Sequence, residues 1–341
     1  MKKLAVVIGR WQLPHLAHLG LIQKAFESAE SVLVVIGSAF RSRTPKNPFT
    51  AAEREAMLKT MLTDEQLARV KFLPVRDYGN DRRWMKAIEQ GLAAAYPGLN
   101  ARQDVALVGH HKDNSSYYLD KFSWKFVEAP STMAVDATAM RDVFFSGGDF
   151  VSVLAPFVAP SVINYLLAWQ HLPAYLECLS EHNAVTAYRK KYTAPCYLTA
   201  DAVVESQGHV LLIKRGGVIG HGQWALPGGF VDAGETFYNA ALRELSEETC
   251  YRPLRDTMDA AKKGSHVFDH PSRSPRGRLV TTAYHFQLGA SKMPEVRGAD
   301  DAKEARWWPI DRLHEIEDQL FEDHALILDH FLKFIPTESA A

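Results

Sequence analysis

Pro227-Gly-Gly-Phe-Val-Asp-Ala-Gly-Glu235, followed by Arg243-Glu-Leu-Ser-Glu-Glu248, is the stretch that decides how the second half of this chain folds. Gly228 and Gly229 after Pro227 make a turn whose backbone can approach a ligand closely. A helix is expected from about Phe237 to Thr249. On it Glu244, Glu247 and Glu248 stand at i, i+3 and i+4 and share one face. Leu242 and Leu245 point roughly the other way, into a core. Three like charges on one helical face repel unless a cation lies among them. Clustered hard oxygens suit Mg²⁺, with Mn²⁺ as a substitute, and such an ion commonly bridges to a substrate phosphate. Arg243 can hold a neighbouring carboxylate or phosphate in place. A solvated acidic helix would leave the glycine turn, the spacing and the arginine unexplained.

The pattern resembles the Nudix box, the signature of enzymes that hydrolyse a nucleoside diphosphate linked to another group. That resemblance implies a metal site at Glu244, Glu247 and Glu248, with Glu247 and Glu248 acting in catalysis. It places Gly229 and Arg243 at the substrate. Cys250 stands where the family pattern has Gly at the helix end, so an altered cap is expected there.

The chain has 341 residues, enough for two domains that each bury a core. A formal charge of −1 gives no bulk attraction to nucleic acid or to an acidic membrane. Cys178, Cys196 and Cys250 are scattered, which fits a reducing cytoplasm and no disulfide scaffold. The first residues lack the long apolar region of a signal peptide. Residues 150–169 carry no formal charge and approach membrane-spanning length, but Pro156 and Pro160 interrupt them. Two buried helical pieces are expected there. A homo-oligomer is compatible with these properties.

The first half alternates. Apolar runs at 4–8, 32–37, 70–75, 104–109 and 125–129 read as strands, with helical patterns at 18–29, 50–62 and 82–96. Alternation implies a doubly wound parallel sheet with helices on both faces and ligands past the carboxyl ends of the strands. Neither GxGxxG nor GxxxxGK[ST] is present. The first strand ends in Gly9-Arg-Trp-Gln-Leu-Pro-His15-Leu-Ala-His18, and a helix follows. Gly9 lets a ligand near the backbone, and the helix N-terminus with Arg10, His15 and His18 suits phosphate.

This segment resembles the HxGH signature of the nucleotidylyltransferase superfamily, with Trp11 as its aromatic and Ala17 in place of Gly. Asp136-Ala-Thr-Ala-Met-Arg141 resembles that family's SxTxxR motif, with Asp136 replacing Ser; Asp136 is expected to cap the helix and face away from phosphate. The resemblance implies that Gly9, Arg10, His15, His18, Thr138 and Arg141 bind ATP. Asn47-Pro-Phe-Thr-Ala-Ala-Glu-Arg54 is similar to a segment of the archaeal-type nicotinamide mononucleotide (NMN) adenylyltransferases. Asn80-Asp-Arg-Arg-Trp84 is similar to their nicotinamide-site pattern. A Trp84 face stacked on a cationic pyridinium is physically sensible, and core packing of Trp84 is its rival.

Residues 1–180 are therefore assigned to a nucleotidylyltransferase-like domain and 181–192 to a linker. Residues 193–341 form a Nudix-like α/β/α domain with a mixed sheet. In it, 197–204 and 209–214 pair around Gln207-Gly208. Strands are expected at 278–288 and 305–309, and a last amphipathic helix at 322–334. Arg273 and Arg276 could contact a substrate diphosphate, or belong to a solvated loop. Asp300, Asp301 and Glu304 are candidates for a further metal ligand or the base.

Together the halves resemble the bifunctional family that joins NMN adenylyltransferase to ADP-ribose pyrophosphatase. The implied reactants are ATP, NMN, NAD and ADP-ribose, with Mg²⁺ at both sites. His15, His18 and Arg141 would carry transfer, and Glu247 and Glu248 hydrolysis. One rival makes the second domain a non-hydrolytic sensor, which could lose its glutamates. Others change the hydrolysed nucleoside diphosphate or the nucleotidyl acceptor. The last is a non-enzymatic nucleotide-binding scaffold.

Overall fold

The computed structural model describes residues 1–111, 114–130, 136–289 and 293–335. The final residues of the expected second domain, 336–341, lie outside that set. The chain divides into two compact units, Met1–Cys178 and a second beginning at Leu179.

The first unit runs β1 (Lys2–Gly9), α1 (Leu16–Ser28), β2 (Ala29–Ala39), α2 (Ala51–Lys59), α3 (Asp64–Leu67), β3 (Val70–Arg76), α4 (Asp81–Ala95), α5 (Ala101–Asp104), β4 (Val105–Gly109) and β5 (Lys125–Glu128). Helices α6 (Ala137–Phe145), α7 (Phe150–Leu154) and α8 (Pro160–Trp169) follow. The strands form a parallel sheet in the order β3-β2-β1-β4-β5. Strand β1 is central, and Leu4 to Val7 are fully buried, because a doubly covered sheet buries both faces. Side-chain alternation sends Leu4, Val6 and Ile8 into one core with Ile88 and Leu92 of α4. Ala5 and Val7 enter the other with Ile22 and Phe26 of α1. The strand order reverses direction at β1, so the crevice between the carboxyl ends of β1 and β4 is where a ligand fits. Residues 150–169 form two helices, α7 and α8, as expected.

Helix α9 (Pro173–Lys191) runs through the division between the units. The segment 181–192, read as a linker, is thus helical to Lys191. The second unit continues with β6 (Tyr197–Ser206), β7 (His209–Arg215), β8 (Trp224–Ala225), β9 (Gly228–Phe230), α10 (Phe237–Thr249), α11 (Arg255–Ala261), β10 (Lys262–Phe268), β11 (Leu279–Leu288), β12 (Ala302–Pro309) and α12 (His324–Leu332). Its sheet has the order β10-β11-β6-β7-β12, with β8 on β7 and β9 on β6. The β6–β11 pair is parallel and the others are antiparallel, so the sheet is mixed. One face packs Ala202, Val204 and Phe286 against Leu245 of α10. The other packs Val203 and Ala283 against Ile327 and Leu328 of α12. Helix α12 begins at His324 rather than near 322, and a 3-10 helix, Ile310–Gln319, precedes it.

Candidate active sites

The first site gathers at the carboxyl end of β1. Gly9 has no room for a Cβ, which would press on the Trp11 ring. Trp11 is buried in the left-handed region at φ 54° and donates Nε1–H to Val35 O at 2.8 Å. His15 caps α1; its ring stacks on His18 with centroids 3.6 Å apart. The His15 backbone N–H donates to His18 Nδ1 at 3.3 Å. An accepting Nδ1 puts the proton of a neutral His18 on Nε2, where it can donate to an anion.

Arg141 enters from α6. It donates to Gln12 O and, from Nη2, to Thr138 Oγ1 at 3.1 Å. Asp136 caps α6 by accepting from Thr138 N at 2.8 Å, the role expected of it. Burial and then the nearby Arg10 push the Arg141 pKa down to about 10. Lys46, which the sequence reading passed over, belongs to the same cationic group. Burial, then Arg10, Arg41 and Arg141, pull its pKa down to about 8. Buried cations gathered in this way are the kind of group that a polyanion would neutralise. Asn80 and Trp84 lie just past β3. Asn80 caps α4 by accepting from Arg83 N at 3.1 Å. Trp84 is half-buried, edge-on to Tyr118 and Phe122 at 5.6 and 6.0 Å.

The second site lies where β9 meets α10. A Cβ on Gly229 would collide with the Glu244 carboxylate, so this glycine is a close-approach position. Gly228 N donates to Glu248 Oε2 at 2.9 Å. Arg243 organises the rest. Its Nη1 donates to Glu244 Oε1 at 2.8 Å and Glu247 Oε2 at 2.9 Å, and its Nη2 to Glu235 Oε2 at 3.0 Å and Phe230 O at 2.8 Å. These bonds, that to Glu235 foremost, raise its pKa. Burial, then a hydrogen bond with Asp301, pushes the Glu248 carboxyl well above the usual carboxylate range. Burial also raises Glu244. Of the three candidates Asp300, Asp301 and Glu304, Asp301 is thus the one that meets the cluster; Glu304 pairs with Arg306 at 3.1 Å.

Among the described residues, no three His, Cys, Asp or Glu side chains already close into a ligand set. Arg243 Nη1 is shared by Glu244 and Glu247, and Glu248 turns to Gly228. The donor chemistry nonetheless fits a divalent cation. Glu244, Glu247 and Glu248 present hard carboxylate oxygens from one helix, and burial of Glu244 and Glu248 carries a cost that positive charge would reduce. Arg273 and Arg276, expected at a substrate diphosphate or in a solvated loop, form a buried and a part-buried ion pair. Arg273 meets Asp323 through two bonds, at 2.9 and 2.8 Å, and Arg276 meets Glu322 at 3.1 Å. The partners lie 50 and 46 residues away in sequence, which is why the loop alone looked exposed. Cys250 ends α10 in the left-handed region at φ 56°, where glycine is favoured.

One unit is thus a nucleotidylyltransferase-type fold with a cationic side-chain cluster, and the other a Nudix-type fold with an acidic one. Residues 6–110 match the cytidylyltransferase-like family and 198–331 the NUDIX domain. A nicotinamide/nicotinic acid mononucleotide adenylyltransferase of Acinetobacter baylyi is 34% identical over 181 residues, 52% of this chain and 93% of that protein. An ADP-ribose pyrophosphatase of Methanocaldococcus jannaschii is 32% identical over 137 residues, 40% of this chain and 73% of that protein. A crystal structure of a bifunctional NMN adenylyltransferase/ADP ribose pyrophosphatase from Francisella tularensis is 30% identical, with TM-score 0.88 over 98% of this chain and 99% of that one. The same bifunctional protein complexed with AMP and a manganese ion matches at 29% identity and TM-score 0.88. The chain belongs to the bifunctional NMN adenylyltransferase/ADP-ribose pyrophosphatase family.

Proposed function

We propose that the first unit transfers the adenylyl group of ATP to NMN, giving NAD and pyrophosphate, and that the second hydrolyses ADP-ribose to AMP and ribose 5-phosphate. The observation that carries this reading is one chain with two side-chain clusters of opposite charge, each on the fold suited to phosphate chemistry.

In transfer, an oxygen of the NMN 5′-phosphate attacks the α-phosphorus of ATP, and the bond to the β-phosphate bridging oxygen breaks. This needs alignment and stabilisation of charge growing on phosphoryl oxygens. His18 donates from Nε2 to the α-phosphate. Gly9 makes room for the Trp11 ring and offers only its backbone to the chain of phosphates, and Arg10, His15, Lys46, Thr138 and Arg141 hold that chain. Asn80 and Trp84 border the acceptor's pyridine. In hydrolysis, Glu244, Glu247 and Glu248 would hold a divalent cation, Mg²⁺ or Mn²⁺, whose chemistry when bound would be to polarise the diphosphate and acidify water. Arg243 keeps Glu244 and Glu247 in place, Gly229 lets the Glu244 carboxylate close on the backbone that faces the substrate, and Asp301 accepts the proton from water. Arg273 and Arg276 act here through Asp323 and Glu322, bracing the loop rather than touching the diphosphate.

Among the described residues no helix is long and apolar enough to cross a membrane. We assign the protein to the cytoplasm, where ATP and a reduced thiol pool are present. Product analysis of two mixtures tests the whole reading: ATP with NMN, and ADP-ribose alone, each with Mg²⁺. NAD from the first and AMP from the second are expected. Absence of NAD would refute the first assignment, and intact ADP-ribose the second.

A further inference from the structure

We propose that Glu53 is a positioning residue for adenylyl transfer: its carboxylate fixes the loop of residues 41–49 so that Lys46 meets the ATP polyphosphate. The proposal rests on the reading of the first unit as the transfer site.

Glu53 sits in the first turn of α2, next to the loop that returns from β2. Its two oxygens collect an unusual number of donors. Oε2 accepts from Thr50 N at 2.7 Å, Thr50 Oγ1 at 3.1 Å and Arg43 Nη1 at 2.6 Å. Oε1 accepts from Arg43 Nη2 at 3.0 Å and from Trp169 Nε1 at 3.0 Å. Burial alone would raise its pKa, yet the bonds from Arg43, Thr50 and Trp169 hold it below the usual carboxylate range. Thr50 and Glu53 form a reciprocal capping box, so the helix end and the loop end are one unit. Arg43 extends the hold inside the loop by donating from Nη1 to Pro48 O at 2.7 Å. Trp169, at the end of α8, anchors the carboxylate from outside the loop.

The neighbouring residues show what this anchor serves. Arg54 donates to Arg10 O and Gly37 O from Nη1, at 2.5 and 2.6 Å, and to Ser38 O from Nη2, at 3.2 Å. It therefore ties the segments after β1 and β2 to the same helix. Gln12 and Phe49 exchange two bonds, at 2.8 and 3.1 Å, and Gln12 O receives Arg141. The segments bearing Arg10, Lys46 and Arg141 are thereby all referred to the first turn of α2. These cations repel one another, so only fixed backbone keeps them converged on one point. Glu53 holds the segment that carries Lys46. It needs no contact with ATP to do so, and its effect should vanish when Lys46 is gone.

A double-mutant cycle on the full chain reads this out. Glu53→Gln should raise the KM for ATP about tenfold, as expected for loss of a charged hydrogen-bond acceptor, with kcat little changed. In a Lys46→Met background the same substitution should change it by less than about twofold. Trp169→Phe removes one donor and should shift KM in the same direction by less; it keeps the question open to test if Glu53→Gln fails to fold. ADP-ribose hydrolysis reports integrity of the second unit throughout. Fully multiplicative effects in the double variant, or an unchanged KM in folded Glu53→Gln, would overturn the proposal. An unchanged KM in Lys46→Met would instead strike the polyphosphate cradle itself, and the positioning role with it.

Discussion

In the first unit, Arg10, Arg41, Lys46 and Arg141 crowd the carboxyl end of a parallel sheet; in the second, Glu244, Glu247, Glu248 and Asp301 crowd the join of β9 and α10. Both sites are read as meeting a phosphate anhydride. The first meets it with protein cations, and the second offers carboxylates that demand a cation of their own. Burial above all, with neighbouring like charge adding to it, shifts the two clusters in opposite directions: Lys46 and Arg141 are pulled down, Glu244 and Glu248 pushed up. The contrast teaches that charge buried beside like charge calls for a partner of opposite sign, and that the sign of the cluster says which partner must arrive first.

The largest effect should come from removing one carboxylate. Glu248→Gln should lower ADP-ribose hydrolysis by about a thousandfold, the scale of a lost preorganised electrostatic group, and leave NAD synthesis unchanged. Parallel assays of both activities check this; equal loss of both would break the contrast. A smaller effect should follow pH. Lys46 titrates near 8, so it is charged below that value and neutral above it. The KM for ATP should therefore rise by up to about tenfold between roughly pH 7 and pH 9. A Lys46→Arg variant should stay flat over that range, and an equal rise in it would assign the titration elsewhere. Smallest is a stability effect away from the chemistry. Cys250 holds a left-handed helix end. Cys250→Gly should stabilise the second unit by about 0.5–1 kcal/mol, after glycine's own entropy cost. Thermal unfolding would show it as a midpoint a few degrees higher.

Much of this was legible from residue order. The strands of the first unit announce themselves as apolar runs because a parallel sheet buries both faces. Helix α10 falls at Phe237–Thr249, as its 3.6-residue pattern requires. His15 and His18 stood out by their spacing at a helix start, and Thr138 and Arg141 by the resemblance to the SxTxxR motif. What stayed hidden depends on distant partners. Lys46 gains meaning only when the loop after β2 folds back toward Arg10 and Arg141. Arg273 and Arg276 read as a diphosphate contact or a solvated basic loop because Asp323 and Glu322 come much later in the chain. Strand β10, Lys262–Phe268, was missed because it is a mostly exposed edge strand with no apolar run. Strands β8 and β9 are only two and three residues long, too short for any periodicity.

The central claim is that two independent phosphate chemistries share one polypeptide. His18→Ala tests it most directly, with NAD formation and ADP-ribose cleavage measured on the same preparation. NAD synthesis should fall to the detection limit while cleavage keeps its full rate. If cleavage falls with it, or if NAD synthesis survives, the account of two separate, oppositely charged sites is wrong.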